Sequence, residues 1–147
     1  MEIRLLIPPP WPMLAPLVQT SREEGFRFLI RLEQEYLSGK VRFQAAGETL
    51  LGAFEDSAII GVGGLTRDTY SDDPHAGRIR HVYVLPQYRG RGIGRFLVAD
   101  VERRGRPHFN ALVLRTDTLA GARFYEAIGY EQFAISGTAT HRRLLAL

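Results

Sequence analysis

Hydrophobic positions along the chain follow two periods, and the switches between them lay out the elements. Over residues 21–37 the apolar side chains Phe26, Leu29, Ile30, Leu32, Tyr36 and Leu37 make a broad arc at helical spacing, with Ser21 and Glu24 placed as a capping box and Gly39 as a stop. Residues 93–104 carry Ile93, Phe96, Leu97 and Val101 at i, i+3, i+4 and i+8, which predicts a helix laying one face on a sheet. A third helix is predicted over 118–128, closed by Gly129. Strand-like runs fill 2–7, 49–55, 58–66, 78–85 and 109–115, and two closing strands, 131–136 and 139–146, flank a Gly137-Thr138 turn. The runs at 49–55 and 58–66 read as a hairpin around Asp56-Ser57, and Gly61, Gly63 and Gly64 mark a bulge or a close approach in its second strand.

Between these elements lie two irregular stretches. Pro8, Pro9, Pro10 and Pro12 stop the first strand, and the run reads as a rigid loop that packs Trp11 onto the core. Residues 67–77 are polar and acidic, so they form a loop, with Asp68, Asp72 and Asp73 in it. The resulting order is mixed α/β, with no internal repeat.

Composition narrows the class. At 147 residues and 45% hydrophobic, the chain suits one domain, 1–147, rather than two. No apolar run reaches the roughly 18 residues of a membrane span and no leader pattern opens the chain, which leads us to expect a cytoplasmic protein without a membrane partner. With no cysteine, disulfides, thiolate metal sites and a covalent cysteine mechanism all drop out, and no metal site is expected. The net charge of +3 rests almost wholly on arginine, Lys40 being the single lysine. Arg78, Arg80, Arg89, Arg91, Arg95, Arg103, Arg104 and Arg106 crowd one third of the chain, a field suited to an anionic cofactor. The helical pattern of Phe96, Leu97 and Val101 places that segment in a packed core, which argues against an arginine-glycine nucleic-acid binder.

The candidate chemistry lies where the strand over 78–85 runs through Pro86 into Gln87-Tyr-Arg-Gly-Arg-Gly-Ile-Gly-Arg95. Glycines at 90, 92 and 94 let backbone N–H groups converge on an anion, and a helix starting there adds the positive end of its dipole. A nucleotide-triphosphate loop would need lysine and serine or threonine after its last glycine, where Arg95 and Phe96 stand. A dinucleotide fingerprint counted from Gly90 would need a glycine where Arg95 is.

Gln87-x-x-Gly90-x-Gly92 after a Val-x-Pro strand end instead resembles the acetyl-CoA pyrophosphate loop of the GCN5-related N-acetyltransferase (GNAT) family. Downstream, Leu114 to Tyr130, with Phe124-Tyr-Glu-Ala-Ile-Gly-Tyr at its end, is similar to the family's strand-to-helix segment. The recognisable part covers roughly 48–135, and it departs from the family at Thr118, where asparagine is frequent, and at Gly121, where alanine is common. The resemblance implies a central, mostly antiparallel twisted sheet of about seven strands with a parallel, splayed pair at the cofactor site, flanked by about four helices. It also implies acetyl-CoA, or CoA, as cofactor.

Carried over residue by residue, the resemblance gives Tyr83, Val84, Gln87, Arg89, Gly90, Arg91, Gly92, Ile93, Gly94, Arg95, Thr118, Phe124 and Tyr125 as cofactor-binding. Tyr125 is the implied general acid for the departing thiolate, and the Val84 N–H the implied donor to the acetyl oxygen. For the base, His81 has the right intrinsic pKa and sits on the central strand; Glu33, Asp68 and solvent stand beside it as alternatives. The expected activity is acetyl transfer to a primary amine by direct attack in a ternary complex, and an inactive acyl-CoA sensor or scaffold is the rival. The acceptor stays open between small-molecule and peptide amines, with Asp68, Asp72 and Asp73 as candidates to receive it. A homodimer is left open.

Overall fold

The computed structural model describes the backbone of residues 1–145 and, outside 134–136, their side chains. Seven strands form one sheet in the order β1-β2-β3-β4-β5-β7-β6: β1 Glu2–Leu5, β2 Thr49–Glu55, β3 Ala58–Arg67, β4 Ala76–Val84, β5 Ala111–Leu114, β6 Glu131–Ser136 and β7 Ala139–Leu144. All neighbours pair antiparallel except β4 with β5. Helices α1 Trp11–Glu23 and α2 Phe28–Leu37 cover one face of the sheet, while α3 Ile93–Gly105 and α4 Leu119–Ala127 lie on the other. The expected mixed fold, with one parallel pair and four helices, is the one observed. Ala146, the last residue of the expected final strand, lies outside the described residues.

The α3 face is built on a glycine track. Ile93, Leu97, Val98 and Val101 point from α3 into a buried cluster with Leu51, Leu65, Ile79 and Leu112. A Cβ on Gly61 would come within 3.1 Å of Leu97 Cδ1, so the glycines of β3 let α3 settle closely onto the sheet. Burial of Leu97, fully enclosed, contributes about 2 kcal/mol by area alone. Phe96 departs from the expected pattern. It is 55% exposed, because one helical step of 100° from Leu97 carries it off the sheet-facing stripe of a helix that has solvent on its far side.

The N-terminal region differs more. The proline run is a loop only in its first half: Pro8 and Pro9 lie between β1 and α1 outside any helix or strand, but the run ends in a helix start. Pro10 is the N-cap of α1 and Pro12 stands in its first turn, where a missing N–H costs nothing and φ is already set. Trp11 does reach the core region, edge-on to Tyr36 at 5.8 Å between ring centres. Ser21 caps nothing: it is buried within α1 and donates its hydroxyl proton to the Val18 carbonyl at 2.9 Å. The single helix expected over 21–37 is instead two, broken at Gly25 with φ of 88°. Gly39 ends α2 as expected, with φ of 84°.

β4 carries the one irregularity that matters for the site. Val62 lies opposite Tyr83 and Gly64 opposite Arg80, so His81 and Val82 together face Gly63. His81 absorbs the extra residue with a left-handed φ of 63°, a conformation that costs a side-chain-bearing residue roughly 1–2 kcal/mol. As a result two successive side chains turn to the α2 face. Arg80 reaches Glu35 at 3.5 Å and His81 Nδ1 lies 3.2 Å from the Phe28 carbonyl, while Ile79, Val82 and Val84 face α3.

Candidate active site

The hydrogen-bond alternation along β4 decides where Val84 points. Leu85 N–H donates to the Ile60 carbonyl at 2.9 Å, which makes the next pair, Val84 with Gly61, one without ladder bonds. The N–H and C=O of Val84 therefore point away from β3, toward β5. There β5 no longer runs alongside: the β4–β5 ladder ends with Arg78 opposite Val113. The two parallel strands splay, and the Val84 peptide opens on the gap.

Above the gap sits the glycine turn. Gly90 and Gly92 take φ of 81° and 80°, and a Cβ on Gly90 would meet nothing within 4 Å, so the backbone is open to an approaching group. The first bond of α3 runs from Phe96 N–H to the Gly92 carbonyl at 3.0 Å, which leaves the N–H groups of Gly92, Ile93, Gly94 and Arg95 ahead of the helical ladder. These converging donors, with the helix dipole behind them, fit a pyrophosphate. Arg91, half-exposed, lies over the Tyr88 ring at 5.2 Å and 4.0 Å from Glu55. Gln87 is exposed in a short 3-10 turn, Pro86–Tyr88. Arg95 lines an open groove of about 420 Å³ between α3 and α4 together with Ala99, Ala127 and Arg143.

The opposite wall is α4. Gly94 lies against Phe124, whose ring would be 3.3 Å from a Cβ there, and the same Cβ would be 3.8 Å from Val84 Cγ2. Val84, Gly94 and Phe124 thus meet beside the splay, with Tyr125 packed on the Phe124 ring. Tyr125 is nearly enclosed, edge-on to Phe124 at 4.9 Å and Tyr130 at 5.6 Å, and burial holds its phenol above the usual tyrosine value. Thr118 spends its hydroxyl on the helix, accepting from Gly121 N–H at 3.0 Å. Gly121 has a local reason: a Cβ there would stand 2.1 Å from Thr116 Oγ1.

Three expected residues go elsewhere. His81 is buried on the α2 face; its Nδ1–H donates to Phe28, its Nε2 has no hydrogen-bond partner among the described residues, and burial pushes its pKa down to about 3. Such a ring stays neutral but offers its lone pair to no incoming group, so the geometry turns His81 away from the base role. Arg89 points not at the glycine turn but at Glu24, at 2.7 and 2.9 Å, and at the Val84 carbonyl, at 3.0 Å. Tyr83 donates its hydroxyl proton to the same Glu24 carboxylate. The Arg89 guanidinium holds Glu24 below the usual carboxylate range.

Two carboxylates of the acidic loop are engaged within the chain, while Asp72 is exposed. Asp68 is buried in an ion pair with Arg78 at 3.0 Å, and Asp73 accepts from His75 N–H at 2.8 Å. Glu24 itself was missed by sequence reasoning, which placed it inside a helix start; Gly25 directly after it was the one local sign of a helix end. A second unforeseen network braces α4. Thr116 N–H donates to Thr140 Oγ1 at 3.0 Å, Thr140 lies 2.9 Å from His141 Nδ1, and His141 Nε2 meets Glu126 at 2.8 Å.

The family model described as the acetyltransferase (GNAT) family matches residues 10–130 of the chain. The chain belongs to the GNAT acetyltransferase family. Among solved structures it is similar to a candidate acetyltransferase from Exiguobacterium sp. 255-15, at 26% identity and a TM-score of 0.82, covering 98% of this chain and 94% of that one. At the level of fold it also resembles the ribosomal-protein-alanine N-acetyltransferase of Brucella melitensis, with 17% identity, a TM-score of 0.72 and coverage of 99% and 100%. A third neighbour is the phosphinothricin acetyltransferase of Sinorhizobium meliloti in complex with AcCoA, at 16% identity and a TM-score of 0.71, covering 98% of this chain and 88% of that one. Among the described residues of this GNAT chain, no group of three His, Asp or Glu side chains could hold a metal ion, and no helix is long and apolar enough to cross a membrane.

Proposed function

We propose that this GNAT protein uses acetyl-CoA to acetylate a primary amine, on a small molecule or a peptide, by direct attack in a ternary complex. One observation carries the reading: the Val84 peptide opens on the β4–β5 splay beside the donors at the start of α3, where Gly94 packs on Phe124 of α4. The N–H groups of Gly92 to Arg95, with Arg91 beside them, would hold the pyrophosphate.

When bound, the thioester supplies an activated acetyl carbonyl, attacked by the amine nitrogen as the carbon–sulfur bond breaks. Val84 N–H donates to the carbonyl oxygen as negative charge grows there. Tyr125, kept protonated by burial, shares its proton with the sulfur. Phenol and thiol have ordinary pKa values of about 10 and about 8.5, so outright transfer runs uphill and the proton is shared in the transition state. The amine's surplus proton leaves to water, directly or by way of Glu33, which is half-buried on α2, since His81 is enclosed and Asp68 is paired. The absence of cysteine agrees with direct attack.

The test combines a melting scan with acetyl-CoA, NAD and ATP and a thiol-release assay across an amine panel. A melting shift with acetyl-CoA alone, and release with at least one amine, is expected. No shift with acetyl-CoA removes the cofactor reading, and tight binding without release for any amine favours the sensor.

A further inference from the structure

Arg89, Glu24 and Tyr83 come from three elements and meet beside the reactive end of β4. Arg89 leaves the turn between β4 and α3, Glu24 sits at the break between α1 and α2, and Tyr83 lies buried in β4. Both oxygens of Glu24 are engaged by Arg89, at 2.7 Å to Oε1 and 2.9 Å to Oε2, and Oε1 accepts from the Tyr83 hydroxyl as well. The guanidinium lies over the Tyr83 ring at 5.3 Å, and its Nε–H donates to the Val84 carbonyl at 3.0 Å. Three of the five N–H groups of Arg89 are so used, and the fork that could grip a phosphate is closed on a carboxylate. Phe28 stacks edge-on to Tyr83 at 6.1 Å and Phe26 lies 5.5 Å from Phe28, so the clasp also sets an aromatic wall.

We propose that Arg89, though it stands in the anion turn, is a positioning residue for the open end of β4: by clasping Glu24 and the Val84 carbonyl it fixes the α1–α2 break and its aromatic wall against that strand end, and it is not a phosphate ligand. This rests on the acetyltransferase reading of the site. The reason is geometric. The Val84 carbonyl and N–H point the same way into the splay, so the residue that holds the carbonyl orients the strand end, and the carboxylate it carries along belongs to the helices on the other face. A charge placed for phosphate would need its fork open above Gly90 and Gly92. Arg91, more than half exposed and no nearer than 4.0 Å to the Glu55 carboxylate, has that freedom.

The test compares Arg89→Gln, Glu24→Gln, the double variant and Arg91→Gln with the wild type. Affinity for acetyl-CoA is read by calorimetry, kinetics use the best amine of the panel, and hydrogen exchange is followed over 22–28 and 84–89 without ligand. Arg89→Gln and Glu24→Gln are each expected to leave the acetyl-CoA Kd within about twofold of the wild type and to lower kcat/KM for the amine by about tenfold to a hundredfold. The double variant should lose no more than the worse single one, because both remove one interaction. Exchange should quicken over both segments in either single variant. Arg91→Gln should weaken acetyl-CoA instead. If Arg89→Gln weakens acetyl-CoA about tenfold while Glu24→Gln does not, Arg89 is a phosphate ligand and the clasp proposal is wrong. Wild-type protein that binds no acetyl-CoA would overturn the acetyltransferase reading, whereas unchanged exchange in both single variants would overturn the clasp alone.

Discussion

The two ends of β4 are one strand with opposite duties. At its start, Gly77 and Arg78 are paired on both sides, with β3 and with β5, and Arg78 is buried with Asp68 at 3.0 Å and the Thr138 carbonyl at 2.7 Å. At its end, Tyr83 and Val84 pair with β3 alone, and the other edge of the strand faces the splay. The His81 bulge divides them. A sheet interior normally pairs its peptide groups, and the closed end does so through its two ladders. Leaving the peptide at the open end unpaired by a neighbouring strand is affordable only because the closed end anchors both strands. Reactivity at one end of a strand thus depends on rigidity at the other.

The sharpest way to break this contrast is to remove a single hydrogen at the open end. Val84→Pro deletes the N–H without taking any bond from the β3 ladder, so kcat should fall by about 10²–10³ relative to Val84→Ala, with acetyl-CoA still bound. If both variants turned over equally, the Val84 amide would have no part in the reaction. Next in size is Tyr125→Phe, expected to lower kcat about a hundredfold while the calorimetric Kd for acetyl-CoA stays put; unaltered turnover would return Tyr125 to the role of core packing.

At the closed end the signature should invert. Arg78→Met strands a buried carboxylate and should cost about 3–5 kcal/mol in urea unfolding. Asp68→Leu combined with it should recover most of that loss, and turnover per folded molecule should change little. A large kinetic defect in the folded double variant would erase the division between the ends.

The smallest effect concerns the bulge. His81 has a pKa of about 3 in the folded protein against an ordinary 6.5, so below pH 6.5 the unfolded chain binds a proton that the folded one refuses. Its contribution to stability is whole above about pH 6.5 and drains away as pH falls toward 3. His81→Asn, which suits a left-handed residue, should flatten the slope of Tm between pH 6.5 and 4. An identical slope in both proteins would show that the buried ring does not titrate in this way.

Much of this was readable residue by residue. The glycine turn, the helix after it and the Phe124-Tyr125 segment depend on local spacing and on groups a few positions apart, and the structure brings Val84, Gly94 and Phe124 together. What could not be read has longer range. Glu24 and Arg89 are 65 residues apart, and no local pattern pairs them. The bulge at His81 leaves the alternation of β4 intact above it, so the sequence reads as one uninterrupted strand. The proline run misled because proline at a helix start and proline in a loop share the same φ.

The sequence by itself determined the order of elements from β2 onward and the anion-binding turn, because these depend on periodicity and on short-range backbone chemistry, and it pointed to the family through the motifs at Gln87–Gly92 and Phe124–Tyr130. Only the tertiary structure decided which charges are free to act. Arg89, Asp68 and His81 are equally plausible as site residues in one dimension, and each is withdrawn by a partner or by burial supplied from a distant element. Desolvation and pairing are properties of the packed chain, and they separate the reactive groups of this fold from those that hold it together.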